Sequence, residues 1–276
     1  MLKNLNIRWT SIMKIENKKI LILSPHQDDE ILSCYQVIKD AEYSNNDLFI
    51  VYVTNGDYFG EQENRYLETK KVFNKLKIKQ NALIFMGYSD TGMQRSKSQI
   101  YNFYNSKDSN QVYFGKHGEY TYFPGDGKEF HYKQYGEHAL YCKKSFEDDM
   151  KKIINIIDPD VIFLPHEQDF HADHSAVAKF VKMLKKKGSI KKDVVLLQYL
   201  IHGYNDLLWP NRVGDYYVKP DNMEEEYWNK RIVFEVSDLN EKKELIELYQ
   251  SQKPNAARRF LFSFIKKEEI YWKLID

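Results

Sequence analysis

Short aliphatic and β-branched runs alternate along this chain with longer stretches in which apolar residues return every three or four positions. The runs KKILILS (18–24), LFIVYVT (48–54), ALIFMG (82–87), DVIFLP (160–165), VVLLQYLI (194–201) and RIVFEV (231–236) predict strands, several of them apolar on both faces. Between them, DEILSCYQVIKDAEY, EQENRYLETKKVFNKLKI, SFEDDMKKIINIID, HSAVAKFVKMLKKKG and LNEKKELIELYQSQ predict helices. In the second helix Leu67, Val72, Phe73 and Leu76 make the apolar stripe, and Gly188 ends the fourth. Strand–helix alternation with doubly apolar strands implies an α/β fold, a mostly parallel sheet with helices on both faces.

No repeat or Pro/Gly-rich linker divides the chain, so residues 1–276 read as one Rossmann-like domain. One region breaks the rhythm. From about Met93 to Tyr141 the periodicity is lost and aromatic residues crowd between glycine turns, as in YFGKHGEYTYFPGDGKEFHYKQYGEH. An irregular insertion that long in a compact domain, too aromatic to be disordered, is a candidate substrate lid; its rings can stack on a sugar, pack the insertion onto the sheet, or do both.

Composition removes several function classes. The 41 Lys+Arg nearly cancel the 40 Asp+Glu, so no global field points to nucleic acid or a membrane surface. The basic runs Lys185–Lys187 and Lys191–Lys192 read as a solvated helix end and turn. Cys34 and Cys142 form no CxxC, which argues against a disulfide framework and suits a reducing compartment. The N-terminus lacks a signal-peptide core and no run is long enough to span a bilayer, so a cytoplasmic protein is expected. Neither GxGxxG after a strand nor GxxxxGK[ST] occurs, which disfavours a nucleotide-binding enzyme.

Two polar clusters carry the chemistry. PHQDDE (25–30) follows the first predicted strand, and PHEQDFHADH (165–174) follows DVIFLP in the same way. Ligands of open parallel sheets bind outside the carboxyl ends of the strands, so the two clusters can converge. Either cluster alone would pass as a polar helix start. Together they offer the imidazole nitrogens and carboxylate oxygens that suit a divalent metal such as zinc. His26, Asp29 and one histidine of the second cluster would suffice as ligands, leaving Asp28 free to act on water. His171 and His174, three apart, can share one face of a helix start. His117, His131, His138, His166 and His202 receive no metal role.

These paired motifs resemble the PIG-L/LmbE-like family of zinc-dependent de-N-acetylases, whose P/A-H-P-D-D-E and H-x-D-H motifs stand here as PHQDDE and HADH. TNGD after the second strand and IHG after a late one look family-like as well, so the likeness extends over most of the chain. The resemblance implies that His26, Asp29 and His174 bind Zn2+, that Asp28 is the general base and that His171 polarises the oxyanion. It implies Asp173 and Glu30 as supporting carboxylates, and Arg65 and Asp90 as holders of sugar hydroxyls. Arg65 could equally pair with Glu61 or Glu68 on its own helix. The activity implied is removal of an N-acetyl group from an N-acetylglucosamine-type sugar or conjugate. A metal-dependent amidase of a thiol–sugar or antibiotic-type conjugate, and a non-catalytic sugar-binding relative, are the alternatives. Gln27 replaces the usual proline and is expected to face solvent or the pocket. Asp28, beside a cation and a helix N-terminus, is expected to have a depressed pKa.

Overall fold

The computed structural model describes residues 15–203, 209–252 and 256–274. Strands β1 (Lys19–Ser24), β2 (Asp47–Thr54), β3 (Leu83–Tyr88), β4 (Val161–Pro165), β5 (Val195–Tyr199), β6 (Ile232–Glu235) and β7 (Glu268–Lys273) form a seven-stranded sheet in the order β3-β2-β1-β4-β5-β7-β6. The first five are mutually parallel, and β7 runs antiparallel between β5 and β6. The α/β, mostly parallel architecture is therefore present. β7 has no counterpart in the predicted strands: EEIYWK starts with two acids and ends with a lysine, so its buried middle is too short to stand out.

The helices are α1 (Asp29–Tyr43), α2 (Gln62–Lys75), α3 (Gln99–Asn105), α4 (Phe130–Tyr135), α5 (Lys143–Ile157), α6 (Ala172–Lys186), α7 (Glu225–Asn229), α8 (Leu239–Leu248) and α9 (Ala256–Phe262). Alternate strand residues feed two cores. Ile20, Ile22, Val161 and Phe163 pack with apolar residues of α1, α2 and α8, whereas Leu21, Leu23, Ile162 and Leu164 pack with those of α5 and α6. Full burial of each such side chain contributes about 1.5–3 kcal/mol. Leu67, placed on the stripe of α2, is instead exposed. The buried side of α2 is Arg65, Glu68, Thr69, Val72 and Phe73, polar in its first half, where Arg65 reaches the pocket, Glu68 accepts from Ser251 and Thr69 donates to the Arg65 carbonyl.

Segment 93–141 contains α3 and α4, and its rings are largely spent on packing. Phe103 meets Tyr113 and Phe146, Phe123 meets Tyr66 and Phe85, and Tyr141 lies against Tyr88. Among the described residues no helix is long and apolar enough to cross a membrane. Cys34 and Cys142 are both buried and unpaired.

The strand order matters most at one place. The chain moves outward from β1 through β2 to β3, then returns to lay β4 on the other side of β1. A crevice opens at such a switch point, between loops that leave in opposite directions. The loops that begin at Pro25 and His166 flank it.

Candidate active site

Between β1 and α1 a tight turn separates two neighbouring carboxylates. Asp28 sits at φ 123°, in a region that costs a residue other than glycine about 1–3 kcal/mol unless its surroundings enforce it. Glu30 enforces it. Its Oε2 accepts the Asp28 N–H (3.1 Å) and the Ser24 hydroxyl (3.2 Å), while its Oε1 accepts the hydroxyl of Tyr249. Gln27 points neither to solvent nor to the pocket. It is buried, and its amide donates to the Thr54 carbonyl (3.0 Å), tying the turn to the end of β2.

Past this turn three donor atoms meet. His26 Nδ1 lies 3.1 Å from His174 Nε2 and 3.4 Å from Asp29 Oδ2, and His174 Nε2 lies 3.2 Å from the same Asp29 oxygen. A tetrahedral zinc with bonds of about 2.0–2.2 Å holds its ligands about 3.3–3.6 Å apart, so this donor set fits the ion in type and spacing. The remaining ring nitrogens are engaged by carboxylates: His26 Nε2 with Asp173 Oδ2 (3.2 Å) and His174 Nδ1 with Asp169 Oδ2 (3.2 Å). Carboxylates accept, so in the neutral rings that a metal would require these nitrogens carry the protons and the facing ones are left to donate lone pairs. The cluster demands positive charge. Burial lowers His174, but Asp29 and Asp169 outweigh it and push it up to about 9.

Asp169 is the hub of the second cluster. Its Oδ1 accepts the His171 N–H (2.8 Å), and its Oδ2 accepts the N–H groups of Ile201 (3.0 Å) and His202 (3.1 Å) besides the His174 ring. Asp173 is fixed in turn by the hydroxyl of Ser98. His171 caps α6, its Nδ1 accepting the Asp173 N–H (3.2 Å), so in the neutral ring the proton sits on Nε2. Burial, then His26, His174 and His202, hold its pKa well below the ordinary value, and the ring is neutral at pH 7.

A cavity of about 410 Å³ opens onto this cluster. His26, Asp28, Asp29, Arg65, Asp90 and His171 reach its surface, while the apolar wall includes Tyr58, Phe59, Phe170, Trp209 and Phe260. Segment 93–141 contributes Met93 to the lining. Arg65 pairs across the turn, its Nη2 3.5 Å from Asp28 Oδ2, and not with Glu61 or Glu68. Gly56 makes room for it: a Cβ there would lie 2.2 Å from Arg65 Nη1. Asp90 Oδ2 lies 3.7 Å from His26 Nε2, and Asp57 of TNGD holds the Asp90 N–H (2.6 Å). Burial raises the Asp28 carboxyl, Arg65 opposes it, and Asp29 and Glu30 add to the rise, leaving it at about 7. The depressed value expected beside a cation refers to the metal-bound site; in the protein alone desolvation outweighs Arg65 and the helix N-terminus.

The sequence model of the GlcNAc-PI de-N-acetylase family, PIG-L, matches residues 21–185, more than half of the chain. This chain belongs to the PIG-L family. Solved structures share the fold at low identity. The zinc-inhibited form of teicoplanin deacetylase Orf2 is 14% identical with a TM-score of 0.57, over 93% of this chain and 98% of that one. The N,N'-diacetylchitobiose deacetylase of Pyrococcus horikoshii is 15% identical with a TM-score of 0.54, over 94% and 84%. GalB, the 4-carboxy-2-hydroxymuconate hydratase of Pseudomonas putida, is 10% identical with a TM-score of 0.53, over 94% and 97%. Deacetylases and a hydratase thus share one fold, and the chemistry must be read from the site.

In this PIG-L member the structure brings together all nine residues singled out from the sequence: six on the pocket surface, with His174, Asp173 and Glu30 behind them. His202, given no metal role, stacks on Phe260 with its ring 5.1 Å from those of His171 and His174. With Asp29 and His174 it makes a further set of donors close enough to share an ion. Burial lowers its pKa to about 4. Asp169 and Asp57 were missed as functional residues, although both lie in quoted motifs. The remaining histidines lie apart, His117 near Gln62 (3.4 Å), His131 on Asp149 (2.7 Å), His138 on Glu129 (3.0 Å) and His166 on Tyr227 (2.8 Å).

Proposed function

We propose that this protein is a zinc-dependent hydrolase that removes the N-acetyl group from an N-acetylglucosamine-type sugar or sugar conjugate. The reading rests on family membership for the reaction class and on the site for the roles. The observation that carries it is the set of three ligand-type atoms, His26 Nδ1, Asp29 Oδ2 and His174 Nε2, mutually 3.1–3.4 Å apart beside Asp28, which lines the pocket from a strained turn.

His26, Asp29 and His174 would hold the ion, and zinc when bound supplies Lewis acidity to water and to the acetamide oxygen. Asp28 takes a proton from the attacking water and returns it to the nitrogen as the C–N bond breaks, releasing acetate and the free amine. His171 donates its Nε2–H to the oxygen that becomes negative in the tetrahedral state. It can do so because the Asp173 N–H occupies Nδ1. Arg65 and Asp90 line the pocket where sugar hydroxyls would be held, and Arg65 also steadies Asp28.

The test is primary-amine release from a panel of N-acetylglucosamine conjugates, with a chelated sample and Asp28→Asn alongside. Asparagine tolerates positive φ, so Asp28→Asn should retain metal while turnover falls about 10²–10⁴-fold. Release that survives chelation, or an Asp28→Asn variant with full turnover, would overturn the assignment.

A further inference from the structure

Helix α1 is broken at Cys34, where φ is −129° and ψ 19°. In an unbroken helix the Gln36 N–H would bond the Leu32 carbonyl. Here each of these two groups is bonded to one member of a buried ion pair. Lys242 Nζ donates to the Leu32 carbonyl (3.0 Å), and the Gln36 N–H donates to Glu269 Oε2 (3.0 Å). The circuit closes through Lys242 Nζ and Glu269 Oε1, 2.7 Å apart with both side chains fully buried. The next carbonyl, of Ser33, accepts the Tyr271 hydroxyl (2.7 Å), which also reaches Glu269 (3.1 Å). An ion pair from α8 and β7 is spliced into the hydrogen-bond ladder of α1.

The position of the splice gives it a consequence for the site. On its N-terminal side lies a single turn, Asp29–Ser33, bearing the donor Asp29, the bracing Glu30 and the pocket-lining Leu32. On its other side the helix is anchored by apolar burial of Tyr35, Val37, Ile38 and Ala41. Ile31 and Leu32 bury the apolar side of this turn and Glu30 ties it to Ser24 and Tyr249, while the bonds across the break fix its orientation relative to the rest of the helix.

We propose that the Lys242–Glu269 pair, with Tyr271, positions the first turn of α1 and thereby sets where Asp29 stands relative to His26 and His174. The proposal rests on the metal-site reading above. Lys242, Glu269 and Tyr271 touch neither pocket nor donor atoms, so they act through the helix turn. A lone buried charge is costly whereas an apolar pair of similar volume is tolerated, so the pair must be replaced together.

The experiment uses the full chain and two probes, Zn2+ affinity by chelator competition and the visible absorption of bound Co2+. Lys242→Met/Glu269→Leu is compared with wild type, and circular dichroism and thermal melting report the fold separately. Expected is a folded variant with about 10–100-fold weaker Zn2+ binding, an altered Co2+ spectrum, and kcat reduced more than KM is changed. Tyr271→Phe removes only one hydroxyl and decides the question if the double variant does not fold; it should weaken Zn2+ binding several-fold and shift the same spectrum. Wild-type affinity and an unchanged Co2+ spectrum in a folded variant would overturn the positioning role alone. Failure of the wild type to bind either ion would overturn the metal site and this inference with it.

Discussion

Replacing Asp169 by asparagine keeps the side chain's size while removing one charge and turning one acceptor into a donor. Four donors converge on the native carboxylate: the His171 N–H on one oxygen, and the His174 ring and the Ile201 and His202 N–H groups on the other. An amide can turn its oxygen to only one side. With the oxygen towards the three, its NH2 faces the His171 N–H, and orphaning that buried donor costs about 1–3 kcal/mol. The other three lose a charged acceptor for a neutral one, at about 1 kcal/mol each. The sum, about 4–6 kcal/mol, is a large share of a typical domain's stability of about 5–15 kcal/mol. His174 also loses the carboxylate that raises its basicity, which should weaken zinc binding about 10–100-fold.

Two assays separate these effects: urea unfolding of the chelated protein between pH 4 and 8, and chelator competition on the folded variant. Burial pushes Asp169 up, but His174, His202 and the backbone donors outweigh it and hold its pKa below the usual value. A carboxylate lowered on folding contributes stability above its unfolded pKa, about 3.9, and loses it as pH falls through the folded value. The stability gap between wild type and Asp169→Asn should therefore be widest between about pH 5 and 6.5, shrink in acid, and shrink again above about pH 6.5 as wild-type folding ceases to gain from the proton that Asp169 helps His174 to hold. A gap below about 1 kcal/mol, or zinc affinity within about threefold of wild type, would refute the role given to this residue.

Gly56→Ala places a methyl 2.2 Å from Arg65 Nη1 and 2.7 Å from Gln27 Oε1 at φ +61°. The flexible guanidinium gives way, so stability should fall by about 1 kcal/mol while KM rises roughly tenfold, as read by urea unfolding and steady-state kinetics. Tyr249→Phe takes a donor from the buried carboxylate of Glu30, which should cost about 1.5–3 kcal/mol in thermal or urea unfolding and lower kcat as the Asp28 turn loosens. An unchanged kcat would sever Glu30 from the chemistry. Phe59, 79% exposed at the pocket mouth, should tolerate alanine within about 0.5 kcal/mol, with any kinetic change confined to KM.

Hydrophobic period, turn residues and the two acid–histidine clusters are properties of neighbouring residues, so they were legible without coordinates. They sufficed for the α/β class, for strands β1 to β6 and for placing PHQDDE and HADH at strand ends. The rest depends on which distant segments meet. His26 touches His174 across 148 positions, and the Leu32 carbonyl meets Lys242 across 210. Asp169 reads as one more acid in a polar loop until β5 delivers the N–H groups of Ile201 and His202 to it. The aromatic insertion reads equally as a lid or as packing; many of its rings cover the sheet and its own helices, and it adds Met93 to a pocket wall drawn from residues scattered between Tyr58 and Phe260. β7 is hidden for the same reason, its charged ends meaning nothing until Glu269 finds Lys242. The sequence by itself determined the elements and the chemical types at their ends, because side-chain period and capping act over a few residues. Only the tertiary structure decided which lone pairs face one another, since sheet order and long-range packing set distances that no local pattern encodes.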